Sequence, residues 1–232
     1  VYVSPGDQRY YQSIPDGAGG AIITWQASQP DGYGSNGDIY AQHVLASGVV
    51  DPAWPSNGLA VCTAPNSQNN PNIVSDGAAG AIVTWSDSRS GASNSDIYAQ
   101  HVLASGAVDP VWPVDGRALC TSPHYQFASI IVSDGAGGAI VAWRDDRVFS
   151  SYPQDIYAQH VLASGAVDPA WPMNGRAVCT APFDQFLTAM ISDGAGGAIV
   201  TWYDYDIHAQ HVLASGVVDP TWPANGDRKS VV

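Results

Sequence analysis

The stretch Ser133-Asp134-Gly135-Ala136-Gly137-Gly138-Ala139-Ile140-Val141-Ala142-Trp143 decides the fold of this chain. It joins a tight Asp-Gly turn to a short apolar run that ends in Trp, a pattern that predicts a turn followed by a β-strand. The pattern recurs at Asp16, Asp76 and Asp193, so that the four Asp residues are 60, 58 and 59 residues apart. A period of this length, filled with short strands and turns, is typical of β-propellers and related arrays.

Each repeat contains four predicted strands, which we call A to D. Strand A precedes the Asp-Gly turn, and strand B follows it, as from Gly80 to Trp85. Strand C begins at Asp38, Asp96, Asp155 and Asp206 with the sequence Asp-Ile-Tyr-Ala-Gln-His-Val-Leu, in which His208 replaces Tyr in the fourth repeat. Strand D follows a Val-Asp-Pro-x-Trp-Pro segment. Strands B and D are apolar on nearly every residue, which predicts sheets that are covered on both faces.

We therefore predict an all-β chain that folds into a four-bladed β-propeller, with four-stranded repeats of about 58 residues. The domain covers 1–226, with approximate repeats at 1–58, 59–116, 117–175 and 176–226. Residues 1–5 align with strand D at 61–65, and the fourth repeat lacks its own strand D. We expect this N-terminal strand to join the last blade and close the ring, which would leave no open sheet edge.

The last six residues, 227–232, break the repeat and contain the only Lys of the chain. One permitted back-translation of these residues reads like a sequencing adapter. We expect this tail to be an artefact and the natural protein to continue with repeat sequence.

The composition excludes several classes of function. All 21 acidic residues are Asp, and the net charge of −13 argues against nucleic-acid binding, which needs clustered Lys and Arg. No apolar run is long enough to span a membrane. The acidic surface suits cations or neutral polar ligands.

The repeat resembles the Asp-Gly-x-Gly-Gly-Ala-Ile-x-x-Trp … Asp-Ile-Tyr-Ala-Gln repeats of large secreted β-propeller proteins of bacteria. The likeness covers essentially residues 1–226. It implies a propeller that is secreted or lies on the cell surface, but this repeat type implies no single activity.

The sequence differences among the repeats fall at one end of the predicted blades. In a four-stranded antiparallel blade, the B–C loops and the D–A links lie at the same end, which we call the loop face. These segments vary, whereas the A–B turns and C–D segments are nearly identical. Loops at one end of a rigid scaffold are the usual place for binding.

Aromatic side chains beside Asp, Asn and Arg on the loop face suit a sugar ring, which needs apolar stacking and in-plane hydrogen bonds. An equal alternative is that the aromatic side chains fill the channel mouth and the charges cap turns. The predicted ligand-binding residues are Tyr10, Tyr33, Arg89, Tyr125, Arg144, Arg147, Tyr152, Tyr203 and Tyr205.

The candidates for catalysis are four Asp residues of the same face, Asp87, Asp145, Asp146 and Asp204. Two carboxyl groups about 5–9.5 Å apart could hydrolyse a glycosidic bond. Asp145 and Asp146 are neighbours on a strand and point to opposite faces, so a pair would need partners from different blades. Local salt bridges to Arg144 and Arg147 are the favoured interpretation of this cluster.

The repeated His and Cys residues are interpreted as structural. His43, His101, His160 and His211 occupy one strand-C position, which favours packing or a hydrogen bond over a metal site. Cys62, Cys120 and Cys179 occupy one strand-D position in different blades, so we predict buried thiols without disulfides. No cofactor is expected. A structural Ca²⁺ is an alternative, because this cation prefers Asp and carbonyl oxygens.

The preferred hypothesis is an extracellular propeller that binds a carbohydrate, or another extracellular ligand, through the loop face. A glycoside hydrolase with Asp catalysts on that face is the second hypothesis. A structural repeat fragment of a larger secreted protein, with no small ligand, is the third. The fold by itself decides among none of them.

Overall fold

The computed structural model describes residues 7–28, 36–91, 93–148 and 154–226. They form four antiparallel sheets, one for each repeat, with the strands of each sheet in chain order. Sheet 1 contains β1 (Gln8–Pro15), β2 (Ala21–Ser28), β3 (Gly37–Val44) and β4 (Leu59–Cys62). Sheet 2 contains β5 (Gln68–Ser75), β6 (Ala81–Asp87), β7 (Asp96–Val102) and β8 (Arg117–Cys120).

Sheet 3 contains β9 (Gln126–Ser133), β10 (Ala139–Asp145), β11 (Asp155–Val161) and β12 (Arg176–Cys179). Sheet 4 has three strands among the described residues, β13 (Phe186–Ser192), β14 (Ala198–Tyr203) and β15 (Ile207–Val212). The predicted strands A to D and their order are thus confirmed wherever the structure describes them.

The Asp-Gly turn is held by its own carboxylate. Asp16 Oδ1 accepts hydrogen bonds from the amides of Ala18 and Gly20, at 2.7 and 2.8 Å, and the other three turns repeat this arrangement. Gly17 and Gly19 have φ of 81° and 91°, a backbone conformation that glycine adopts without steric cost. The sequence Asp-Gly-x-Gly-Gly therefore specifies this hairpin in sheets 1, 3 and 4, and sheet 2 makes the same turn with Ala79, at φ of 64°, in place of the second Gly.

A fully buried Gln in the third strand ties each sheet to the segment that follows. Gln42 Nε2 donates to the Pro55 carbonyl at 2.8 Å, and Gln42 Oε1 accepts from the amide of His43. Gln100, Gln159 and Gln210 make the same two bonds. Because both ends of the amide are satisfied, this polar group can lie in the core.

Successive sheets pack face to face, and we call the interface between two adjacent sheets a joint. The front face of one sheet carries Ile22, Ile39 and Trp54, and it packs on the back face of the next, which carries Val83 and Trp85. Trp54 Nε1 donates to the carbonyl of Ala104 at 3.2 Å. The joints between sheets 2 and 3 and between sheets 3 and 4 repeat this contact with Trp112 and Trp171.

Each joint needs a glycine opposite the Trp. A Cβ on Gly106 would lie 2.7 Å from Cγ of Trp54, and Gly165 and Gly216 face Trp112 and Trp171 in the same way. The first strands of adjacent sheets also pack together, β1 on β5, β5 on β9 and β9 on β13. The joint therefore sets the spacing of the sheets around a common inner row of strands.

The described residues do not show closure of the ring. Nothing lies within 4 Å of a Cβ placed on Gly48, where the joint would bring a Trp of the preceding sheet. Seven of the eight residues of β1 are exposed. The expected closing strand at 1–5 lies outside the described residues, so four sheets are observed and their closure into a ring stays a prediction.

The joint gives a stability prediction with an internal control. Trp112 is 3% exposed, whereas Trp222, at the same repeat position, is only partly buried because none of the four described sheets covers it. We expect Trp112→Ala to lower the free energy of unfolding by about 3–5 kcal/mol, and Trp222→Ala to lower it by about 2 kcal/mol less. Urea denaturation at low protein concentration measures both. Equal losses would show that the joint does not carry the difference.

Candidate functional site

The loop face begins where the inner strands bulge. Each first strand shifts its register against the second near this end, as between Arg9 and Gln12 and between Asn69 and Asn72. Such bulges re-aim side chains and are common beside functional sites. The links that enter the first strands also carry left-handed residues, Asn66, His124 and Phe183.

Two of the candidate catalytic residues, Asp87 and Asp145, are the anchors of matching buried clusters. Asp145 is 1% exposed and accepts from Trp143 Nε1 at 2.7 Å and from Arg147 Nε at 2.8 Å and Nη2 at 2.6 Å. The Arg147 guanidinium lies 3.6 Å from the ring centroid of Tyr157 and donates to the carbonyl of Asn174. The structure thus places Asp145 and Arg147 in a local ion pair.

The same cluster exists in sheet 2. Asp87 is fully buried and accepts from Trp85 Nε1 and from the Arg89 guanidinium, which lies 3.9 Å from the Tyr98 centroid. Asp96 is its partner residue across the strands. Because sheets 2 and 3 share the arrangement, it is not unique to one sheet.

A second carboxyl group lies beside each of these anchors. Asp155 is the Cα partner of Asp145 across β10 and β11 and is 7% exposed. Burial, and then repulsion by Asp145, raises the pKa of Asp155 to about 6. Burial likewise raises the pKa of Asp96 in sheet 2. Asp145 and Asp87 were among the predicted catalytic candidates, whereas their partners Asp155 and Asp96 were not.

Sheet 4 replaces this cluster with exposed aromatic side chains. Phe183 and Tyr205 are 69% and 81% exposed, and their rings meet edge to face at 6.4 Å with an interplanar angle of 85°. Phe186 and Tyr203 lie next along the strands with centroids 6.5 Å apart. We call these four residues the aromatic cluster.

The backbone of the Phe183–Tyr205 pair is strained. Phe183 has φ of 77° and Tyr205 has φ of 81°, and for bulky residues a positive φ is a genuine outlier. The position of Phe183 is occupied by Asn66 and His124 in sheets 2 and 3, residue types that tolerate this conformation better. Strain of this kind clusters at binding and catalytic sites.

Arg144 connects sheet 3 to the aromatic cluster. Its guanidinium lies 4.9 Å from the Phe127 centroid and 4.5 Å from the Phe186 centroid, and it donates to the side-chain carbonyl of Gln154. Burial lowers the pKa of Arg144, while the nearby Asp184 opposes that shift. Arg144 is the one predicted Arg that lies against the aromatic cluster.

The remaining predicted residues are spread along the loop face. Burial raises the pKa of Asp146, whose amide donates to the Tyr125 carbonyl. Asp204 Oδ1 lies 2.6 Å from Nε2 of His208, which stacks on Trp202. Tyr10, in the β1 bulge, is 57% exposed, and Tyr125 is 41% exposed. Tyr33 and Tyr152 lie outside the described residues.

The four repeated His residues each join two carboxylates. His43 Nε2 lies 2.9 Å from Asp16 Oδ2, and Nδ1 lies 2.8 Å from Asp51 Oδ2, so the ring links the Asp-Gly turn to the segment after strand C. His101, His160 and His211 make the same pair of contacts. The structure therefore gives this position a hydrogen-bonding role.

The three Cys residues are free and buried, as predicted. Burial raises the pKa of Cys62 to about 12 and those of Cys120 and Cys179 to about 11, which leaves them as inert thiols. No group of three or more metal-ligating side chains occurs in the part of the chain that the structure describes. Among the same residues, no helix is long and apolar enough to cross a membrane.

No protein-family model matches the chain, and no curated protein sequence matches it. Solved structures do resemble it. An endo-arabinase from Bacteroides thetaiotaomicron superimposes with a TM-score of 0.55 at 12% identity, over 96% of this chain and 78% of that one. The chain shares a β-propeller fold with this enzyme.

Two further structures are similar over most of the chain. A protein of unknown function from Dyadobacter fermentans gives a TM-score of 0.54 at 7% identity, over 93% of this chain and 68% of that one. The GH43_1 enzyme from Xanthomonas citri, in complex with xylotriose, gives 0.47 at 10% identity, over 90% and 71%. At these identities the likeness concerns the fold.

The buried ion pair of sheet 3 gives a testable consequence. We expect Arg147→Ala to lower the free energy of unfolding by about 3–5 kcal/mol, because it leaves the Asp145 carboxylate buried without its cation. Arg9→Ala is the matched control, since Arg9 and its partner Asp7 are 61% and 67% exposed, and it should leave stability unchanged within error. Urea denaturation provides the measurement. If Arg147→Ala left stability intact, Asp145 and Arg147 could not be structural anchors.

The His–Asp contacts predict a pH dependence. Burial disfavours the charged His43 ring, but the bonds to Asp16 and Asp51 outweigh it, so the pKa of His43 lies above its usual 6.5; the bond to Asp193 raises that of His211. Stabilisation from a raised pKa is full below the unfolded value, near 6.5, and is lost as the pH rises through the higher folded value.

We therefore expect the double variant His43→Gln/His211→Gln to unfold at lower urea than the natural chain at pH 6, with a gap that narrows as the pH rises to about 9. Urea midpoints measured at each pH give the gap. The partner carboxylates have lowered pKa values, so the gap should also shrink below about pH 3.8 as they become protonated. A gap that stays constant across the whole range would contradict the ion pairing.

Proposed function

We propose that this chain is an extracellular propeller that binds a carbohydrate at the loop face of sheet 4. The observation that carries the proposal is the exposed, edge-to-face pair of Phe183 and Tyr205 on strained, left-handed backbone. These aromatic rings are exposed to solvent, and their backbone is strained. Such a costly arrangement is typical of a functional site, and the rings can stack against the apolar face of a sugar.

Polar groups close to this pair support the same ligand class. The amide of Gln154 donates to Asp184 Oδ1 at 3.1 Å, and Arg144 lies between Phe127 and Phe186. Carboxylate, amide and guanidinium groups can bond to sugar hydroxyls from the side while a ring covers one face. The net charge of −13 favours a neutral glycan over a polyanionic one.

Hydrolysis of a glycosidic bond is the second candidate function. The two buried ion pairs reduce the number of Asp residues that are available to catalyse it. Asp87 and Asp145 are committed to Arg89 and Arg147, so Asp146 and Asp204 are the two of the four predicted candidates that remain for catalysis. Asp146 has a raised pKa, as a general acid requires. The structurally similar endo-arabinase from Bacteroides thetaiotaomicron gives a further reason to test hydrolysis beside binding.

The test begins with the 232-residue chain on a broad glycan array, with and without Ca²⁺. Affinity for the best glycan is then measured by calorimetry for Phe183→Asn and Tyr205→Ala. Asn at this position occurs in sheet 2 and suits positive φ, so Phe183→Asn removes the ring without straining the backbone. We expect each variant to weaken binding at least about tenfold, as loss of a stacking platform should.

Tyr11→Ala is the matched control, because Tyr11 is 76% exposed but lies in β1 of sheet 1. It should leave the affinity unchanged. A blank array, or binding that survives both sheet 4 variants, would refute the proposal. Turnover of the bound glycan that disappears in Asp146→Asn or Asp204→Asn would instead establish the hydrolase.

A further inference from the structure

The front face of sheet 4 is the uncovered half of a joint. Ile207 is 71% exposed, whereas Ile39, Ile97 and Ile156, at the same position of the first three sheets, are completely buried. Trp222 is partly exposed, and no described residue accepts a hydrogen bond from its indole nitrogen. The face keeps the joint residues of the repeat, but no sheet packs on it in the part of the chain that the structure describes.

The back face of sheet 1 is the other uncovered half. Ala21, Ile23 and Val44 are partly exposed, whereas the residues that match them in sheets 2 to 4 are fully buried. Gly48, which corresponds to Gly106, would have no atom within 4 Å of an added Cβ. The carbonyl of Ala46 corresponds to that of Ala104, which accepts from Trp54 in the first joint.

We infer that these two faces bind each other between copies of the chain, sheet 4 of one copy on sheet 1 of the next. The three internal joints show which surface covers a front face: it is always the back face of a sheet of this repeat. In the second copy, Gly48 would receive Trp222, and the Ala46 carbonyl would accept its indole N–H. Among the described residues of one copy, both halves are open at the same time, so each copy offers its neighbour the surface that the neighbour's free face matches.

The loop end of the joint supports the same pairing. The residue after the strand-B Trp reaches the inner strand of the next sheet: Gln26 Nε2 donates to Asn69 Oδ1, and Arg144 covers Phe186. In sheet 4 this residue is Tyr203, which is 45% exposed. The inner-strand residue that would meet it is Arg9 of the second copy, a cation for an aromatic face.

Contacts of this type are head to tail, so association can either add further copies in an open chain or close into a ring. Two copies that make both joints contain eight sheets, which lies at the upper end of the usual range for closed propellers. Each copy carries a charge of −13, so repulsion opposes the contact, and added salt should strengthen it.

Sedimentation of the 232-residue chain at about 1–100 μM tests the inference. We expect a mass above that of the monomer, which grows with concentration and with salt. Ile207→Arg should weaken association at least tenfold, since it places a charge in the apolar joint. Val114→Arg is the control and should leave association intact, because Val114 is 88% exposed in the segment between strands C and D of sheet 2.

A cysteine pair separates a second copy from closure within one chain. In the first internal joint, a Cβ on Gly106 would lie 2.9 Å from Cα of Trp54, so the two positions are direct neighbours, and a small shift of the glycine turn would bring cysteines there to disulfide distance. Mixing Trp222→Cys protein with Gly48→Cys protein should give a linked pair of chains under mild oxidation. The three native thiols are buried and should not compete.

Three outcomes would overturn the inference. The first is a monomer at every concentration, and the second is an oligomer that Ile207→Arg does not weaken. The third is a Trp222→Cys/Gly48→Cys double variant that links within one chain at high dilution, which would assign the joint to closure of the ring. Glycan affinity measured for Ile207→Arg distinguishes failure of this inference from failure of the proposed function. The variant keeps Phe183 and Tyr205, so it should still bind the glycan even though it no longer associates.

Discussion

The contact of a Trp with a glycine of the next sheet is the constraint on which the rest of the structure depends. A single four-stranded sheet of this repeat is apolar on both faces and cannot hide them alone. The indole reaches across only because Gly106, Gly165 and Gly216 carry no side chain there. The joint therefore fixes sheet spacing, brings the inner strands together and collects the variable loops at one end.

Buried polar groups make the joint specific. Gln42 and its equivalents satisfy both ends of their amides inside the sheet, and the His residues join the Asp-Gly turn to the segment that presents the Trp. The Trp ring also lies against this His, with centroids about 6 Å apart in every sheet. An acidic chain thus uses many of its carboxylates as fixed hydrogen-bond acceptors inside the scaffold.

Repetition explains which features could be predicted from the sequence. A feature that recurs in several repeats can be distinguished from chance variation in one of them. For this reason we could predict the strands and their order, the free buried Cys residues and the structural role of the His residues. The burial of Asp87 and Asp145 was harder to foresee, because an Asp at the start of a variable loop looks exposed. The available signal was Trp-x-Asp-x-Arg, which occurs at Trp85 and again at Trp143.

The aromatic cluster was only half predictable, for a different reason. Tyr203 and Tyr205 could be assigned to the loop face from the sequence, but pairing of Tyr205 with Phe183 depends on a left-handed backbone at both residues, a conformation that neither residue type favours. The clue for Phe183 was its alignment with Asn66 and His124, residue types that fit such a backbone. A Phe there is a local conflict, and such conflicts tend to mark functional positions.

The fourth sheet differs from sheets 2 and 3 at several linked positions. Arg89 and Arg147 cap the loop ends of sheets 2 and 3 by lying over Tyr98 and Tyr157. Sheet 4 has only three residues between its second and third strands, no Arg among them, and His208 in place of the Tyr. Loss of the capping Arg leaves this loop end open, and the aromatic cluster lies there. A site can arise here without altering the joint, because the loop end and the Trp–Gly contact use different residues of the same sheet.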